Sequence, residues 1–142
     1  MDAEATDTKI RKPVPYPGPE SLPFWEGAKA RRLLLPLCNV CNRFWFPPTQ
    51  RCAHCLSADF VWCEASGKGR VYSFVVYHRV YHRGFEDEVP YVVAIVELDE
   101  GPRLITNIVG VAPDEVRCDM RVKVMFDESE PGVTIPKFSP AR

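Results

Sequence analysis

The sequence has no run long and apolar enough to cross a bilayer as a helix. Its opening residues, MDAEATDTKIRK, lack the basic-then-apolar order of a secretory leader, so a cytoplasmic location without membrane contact is expected. No Ser-His-Asp or Cys-His constellation stands out, and independent catalysis therefore has little support. No internal repeat is visible. An overall charge bias is missing as well, with 18 Lys and Arg against 19 Asp and Glu. That balance argues against the phosphate backbone of a nucleic acid as partner.

What the chain does have is a cysteine array. Cys38, Cys41, Cys52 and Cys55 read C-x2-C-x10-C-x2-C within LCNVCNRFWFPPTQRCAHCL. Each C-x2-C pair sets two thiolates on one tight turn, and two such turns facing each other make a tetrahedral S4 cage suited to Zn2+. The short linker with Pro47 and Pro48 fits a zinc ribbon, two knuckles joined by a small hairpin. After the second thiolate of a knuckle the backbone often turns left-handed. Asn42 suits that position, whereas Leu56 suits it less, so the second knuckle is expected to relax differently. Two disulfides or four unrelated thiols are the plainer alternative, and the same cage accepts iron. Four thiolates close the shell and leave no open position, so the metal is expected to be structural. Of the two remaining cysteines, Cys63 reads as a small buried residue and Cys118 as a partly exposed one near a turn.

The balanced charge hides an asymmetry. Residues 25–85 hold nine Lys/Arg against three Asp/Glu, whereas residues 86–142 hold six against twelve. The two negative charges of an S4 zinc site would trim the basic surplus. A basic face of this size suits a phosphate-bearing ligand, an acidic partner or plain solvent.

Along the chain, Pro13, Pro15, Pro17 and Pro19 predict an extended arm, mobile when alone and able to lie along a partner. Ser21 as N-cap and Pro23 in the first turn start a short helix, SLPFWEGAKARR, weakened by Gly27. Its aromatic face, with Phe24 and Trp25, must dock on the chain's own core or on another subunit. A strand over residues 33–37 leads into the first knuckle. The turn Ser66-Gly67-Lys68-Gly69 then marks a boundary. Strands follow at residues 70–79, 90–98, 103–111 and 120–127, with a helical turn or loop after the third. A short fifth, residues 133–138, is broken by Pro136 and belongs at an edge. The expected architecture is mainly β: an arm and short helix over residues 1–32, a rubredoxin-like zinc ribbon over 33–66, and a five-stranded OB-fold barrel over 67–142. A sandwich fragment is the alternative.

The segments PFWEGAKARRLLLPLC, SGKGRVYSFVV, PYVVAIVELDEGPRLITNIVG, MRVKVMFDE and IPKFSPA, with the cysteine array between the first two, resemble one family. It is the rubredoxin-like zinc ribbon plus OB-fold family, long labelled a domain of unknown function. The resemblance covers nearly the whole chain from Pro19 onward; Asn42 replaces the family's usual glycine. It implies a small non-catalytic subunit beside acyl-CoA enzymes: thiolase-like proteins, steroid side-chain aldolases or hot-dog-fold hydratases. One branch is the small subunit of thiolases that cleave aryl-succinyl-CoA. The implied assembly is a heterotetramer or larger, with a thiolase-like catalytic subunit as partner and a coenzyme A thioester as ligand of the complex.

Under that resemblance, candidate partner or acyl-CoA contacts are Trp25, Phe46, His78, Arg79, Tyr81, His82 and Phe85. Arginines in YHRVYHRGF could pair with phosphates while the aromatics line a channel; an ordinary exposed hairpin end is the plainer reading. Interleaved Arg and aromatic residues also suit a single-strand nucleic-acid platform, against which the acidic second half stands. A rubredoxin-like electron carrier is a further alternative. Asp99 and Glu100 fall in a turn and are expected to be solvated.

Overall fold

A computed structural model describes residues 10–141, so residues 1–9 of the expected arm lie outside the described residues. The element order is α1 (Leu22–Lys29), β1 (Leu34–Cys38), β2 (Phe60–Glu64), β3 (Lys68–Tyr77), β4 (Tyr91–Leu98), β5 (Arg103–Ile108), β6 (Arg121–Glu130) and β7 (Val133–Pro140). Single 3-10 turns cover Arg83–Phe85 and Pro113–Glu115.

Helix α1 begins where Pro23 is tolerated, in the first turn, but Ser21 does not cap it through its side chain. The Ser21 hydroxyl donates instead to the Gly18 carbonyl at 3.4 Å. At the far end Arg31 turns left-handed (φ 63), and the Arg32 N–H reaches back to the Gly27 carbonyl at 2.8 Å. This is a Schellman closure made without glycine. Gly27 has a different duty. A Cβ there would stand 2.7 Å from Leu34 Cγ, so its absence lets α1 press onto β1. Phe24, Gly27 and Ala28 are buried, and Trp25 is half-buried with its ring edge-on to Phe24 at 5.1 Å. The aromatic face thus docks on the chain's own core.

Strands β1 and β2 pair antiparallel from Leu34↔Glu64 to Cys38↔Phe60 and carry the ribbon. The remaining strands close a barrel in the order β3-β4-β5-β7-β6, sealed where Gly69 of β3 faces Val122 of β6. Gly69 also lies so close over β4 that a Cβ would meet the Glu97 carbonyl oxygen at 2.5 Å. Strand β4 alternates: Val92, Ala94, Val96 and Leu98 point inward, and Tyr91, Val93, Ile95 and Glu97 are half-exposed.

The fifth barrel strand corrects the edge expectation. β7 lies between β6, which it pairs antiparallel, and β5, which it meets in parallel at Ile108↔Phe138. Pro136 is accommodated there. Phe138 turns its carbonyl to β5, accepting from Val109 at 2.8 Å. Two residues earlier Pro136 faces the same side, beyond the single register pair, so no ladder bond needs its missing N–H. Its carbonyl accepts the Thr106 hydroxyl at 3.1 Å.

One apolar cluster runs from Phe24, Leu33, Leu35 and Ala65 into the barrel interior at Val71, Val96, Leu98, Val122 and Phe138. Helix, ribbon sheet and barrel share a core. A smaller cluster of Trp45, Cys38 and Cys52 supports the knuckles.

Candidate functional site

The four array cysteines converge at the tip of the ribbon, with one sulfur from each and all four within 4.8 Å of one another. Cys38 arrives from the end of β1. Cys41, Cys52 and Cys55 come from the two knuckle turns, whose backbones match. The Asn42 N–H donates to the Cys38 carbonyl at 3.0 Å, and the Leu56 N–H to the Cys52 carbonyl at 2.9 Å. Asn42 has φ 60 and Leu56 has φ 68. The second knuckle therefore adopts the same left-handed turn as the first and does not relax away from it. Backbone amides aim at sulfur: Val40 and Cys41 donate to Cys38 Sγ at 3.3 and 3.4 Å, and His54 to Cys52 Sγ at 3.3 Å. Trp45 backs the cage, edge-on to Phe60 at 5.1 Å, with its indole N–H on Thr49 Oγ1 at 3.0 Å.

These amides favour thiolates. The Cys41 amide, more than any other group, brings Cys38 down to about 7. Cys52 is pushed up by burial, but the Cys55 and His54 amides outweigh this and leave it lowered. Cys41 is pushed up to about 12 by burial and its sulfur neighbours. Four thiols this close do not all ionise unaided; a divalent cation turns their mutual repulsion into binding. Donor type, number and convergence fit a tetrahedral S4 ion held by Cys38, Cys41, Cys52 and Cys55, with no position left for water. Cys63 is half-buried on β2 and Cys118 is exposed, neither in the cage.

The other sequence-selected residues fall into two groups. Trp25 and Phe46 both flank Phe24, at 5.1 and 5.2 Å between ring centroids, where the helix meets the ribbon. His78, Arg79, Tyr81, His82 and Phe85 lie on the loop from β3 to β4. There Arg79 sits over the Tyr81 ring at 5.6 Å, and His82 Nδ1 accepts the Gly84 N–H at 2.9 Å. The Tyr77 and Phe85 rings both pack on Tyr91, at 5.3 and 5.6 Å. His78, Arg79, Tyr81 and His82 are exposed.

Residues 12–17 of the arm run between these groups, a link that sequence reasoning missed. Pro15 and Pro17 line a hollow of about 180 Å³ with Trp25, and Lys12 and Pro13 line one of about 90 Å³ with Phe85. Lys12 lies over the Phe85 ring at 5.4 Å and pairs with Glu88. The proline spacing signalled the extended arm, but a lone lysine carries no signal of its ring partner.

Beside the loop, the outward faces of β3, β4 and β5 carry Val75, Val93, Ile95 and Ile105 in adjoining register, with Ile105 75% exposed. Arg70, Glu97 and Arg103 close this stripe at one end. Among the described residues no helix is long and apolar enough to cross a membrane.

A four-cysteine ribbon sharing its core with a closed five-stranded OB barrel defines a zinc-ribbon–OB-fold protein. Residues 25–61 match the family model for the rubredoxin-like zinc ribbon domain of ChsH2, and residues 62–127 match that for its C-terminal OB-fold domain. The chain belongs to this ChsH2 (DUF35) family. It is 44% identical, over 94% of its length, to a probable enoyl-CoA hydratase alpha subunit of Thermomonospora curvata, of which it spans 41%. It is 38% identical over 72% of its length to a DUF35 domain-containing scaffold protein of Methanocaldococcus jannaschii, spanning 73% of that protein. It is 31% identical to the benzoylsuccinyl-CoA thiolase subunit BbsA of Geobacter metallireducens, over 78% of this chain and 66% of that one. Among solved structures, a chain of the Ltp2-ChsH2(DUF35) aldolase matches with a TM-score of 0.83 and 44% identity, over 90% of this chain and 99% of that one.

Proposed function

We propose that this chain is a non-catalytic subunit of an acyl-CoA enzyme complex. It stabilises a catalytic partner and helps shape its acyl-CoA site, while Cys38, Cys41, Cys52 and Cys55 hold a structural zinc ion. The observation that carries the reading is the match to a chain of the Ltp2-ChsH2(DUF35) aldolase, at 44% identity over 90% of this chain and 99% of that one. The cage supports it too: its four sulfurs form a complete shell that offers no open position for substrate. The exposed Val75–Ile105 stripe and the aromatic loop supply surface that a partner would cover.

The resemblance in sequence points to a thiolase-type partner, in a heterotetramer or larger assembly. The alternative, an aldolase or hydratase partner, has equal support for its two forms: 44% identity to a chain of the Ltp2-ChsH2(DUF35) aldolase and 44% to a probable enoyl-CoA hydratase alpha subunit, beside 31% for the thiolase subunit. Thiolase and aldolase differ in chemistry. Thiolytic cleavage consumes free coenzyme A, whereas aldol cleavage releases a carbonyl product and leaves the thioester intact. Trp25, Phe46, His78, Arg79, Tyr81, His82 and Phe85 are the proposed contact residues.

The test is co-expression with a thiolase- or aldolase-like protein encoded beside this chain. The expected result is co-elution in size exclusion, with turnover by the pair that this chain alone lacks. Separate elution of two well-folded proteins, or thioester turnover by this chain alone, would overturn the reading. Dependence on added coenzyme A separates thiolase from aldolase, and one zinc per chain in a colourless protein dismisses the iron alternative.

A further inference from the structure

Where ribbon meets barrel, a cleft of about 330 Å³ opens between the knuckles and the turn from β4 to β5. The ribbon side supplies Arg43, Phe44, Phe46 and His54, and the turn supplies Glu100 and Pro102. Junctions of this kind are where small-ligand sites preferentially form. Glu100 contradicts the solvated carboxylate that its place in a turn predicts. Its Oε2 accepts the Ser66 N–H at 2.7 Å, and its Oε1 is buried and, among the described residues, accepts no hydrogen bond. A carboxylate oxygen held away from bulk water and unpaired is costly to maintain, so it calls for a donor. Arg43 lines the same cleft yet does not hydrogen-bond that oxygen.

We propose that this cleft binds an organic cation, a guanidinium or primary ammonium group, with the Glu100 carboxylate as its acceptor, Oε1 turning out of its buried position to meet it, and the Phe44 and Phe46 rings along its walls. A charged N–H donor satisfies the buried oxygen with the stronger kind of hydrogen bond, and ring faces attract the same charge. Arg43 is the internal competitor, because a bound cation must enter beside its guanidinium. The ligand comes either from the side chain of another polypeptide or from a free small amine.

Titration of the zinc-loaded, isotope-labelled full chain tests this, read by NMR at the Glu100 carboxyl carbon and the Ser66 amide. The probes are N-acetyl-arginine methylamide, agmatine and, as a neutral control, N-acetyl-glutamine methylamide. The expected result is a saturable millimolar response to a cationic probe and none to the neutral one. Glu100→Gln keeps an oxygen for the Ser66 N–H, and it should weaken binding at least about tenfold. Arg43→Gln should tighten it. Tighter binding of capped arginine than of agmatine identifies a polypeptide side chain as the source, and the reverse identifies a free amine. No saturable response to either cation, an equal response to the neutral control, or weaker binding in Arg43→Gln would overturn the proposal.

Discussion

At the scale of single residues, the knuckles show backbone geometry overruling side-chain preference. Asn42 and Leu56 occupy equivalent positions with φ near 60 and 68, although only asparagine is at ease there. A left-handed residue other than glycine costs roughly 1–2 kcal/mol, and asparagine softens that cost. Leu56 is 68% exposed, so little apolar burial offsets it. Leu56→Asn is therefore expected to stabilise the metal-bound protein by about 0.5–1 kcal/mol in denaturant unfolding. A loss of stability would show that the leucine side chain matters more than its φ. Cys52→Ser should cut bound zinc from one per chain to near none, as metal analysis of the purified protein would show. The convergence of Cys38, Cys41, Cys52 and Cys55 was legible because spacing alone encodes it. The conformation at Leu56 was not, because it is set by its N–H on the Cys52 carbonyl and by the amides on sulfur.

At the scale of elements, charge and helix docking can be separated. Glu97 on β4 accepts from Arg70 at 2.8 Å and from Arg103 at 3.0 Å, tying β3, β4 and β5 together on the outside of the barrel. The Arg70 hydrogen bond, then that of Arg103, holds the Glu97 carboxyl below the usual glutamate range. A carboxyl whose folded pKa is depressed stabilises the fold above its unfolded pKa, and that support fades as pH falls through the folded value. Thermal melts of the wild type should thus lose Tm in acid below the ordinary glutamate range. Glu97→Gln should start lower at neutral pH and decline less steeply. An unchanged slope would remove Glu97 from the account; partial exposure keeps the effect modest. Phe24 acts through burial instead. Phe24→Ala should cost about 3–5 kcal/mol, since the ring is 6% exposed between helix, ribbon and barrel. Denaturant midpoints would measure it. Strand periodicity made these elements legible one by one. The inner place of β7 was hidden, since Pro136 reads as an edge residue until Thr106 and the gap in the β5 ladder are known.

At the scale of the whole molecule, the shared core decides how the parts fail. Leu33 and Leu35 of the ribbon lie in one cluster with Val96 and Phe138 of the barrel. Chelating the metal is therefore expected to lower the stability of both together. Trp25, Trp45 and Trp62 all belong to the helix and ribbon, so their fluorescence reports that half, and far-UV circular dichroism reports mainly the barrel. The two signals should melt at one midpoint with and without chelator. A barrel signal indifferent to chelator would mean two independent units. Ribbon, barrel and family resemblance were all readable from the order of motifs. Lys12 over Phe85 and the buried oxygen of Glu100 were not, because each depends on a neighbour more than thirty residues away in sequence.

The Val75–Ile105 stripe has a further consequence for how much of this chain a cell can hold. A β surface with Ile105 three-quarters bare and Val75 half bare is a foothold for chaperones and for its own copies. Synthesis beyond the supply of a covering partner should lower the soluble fraction of this chain, and polar residues at Val75 and Ile105 should raise it again.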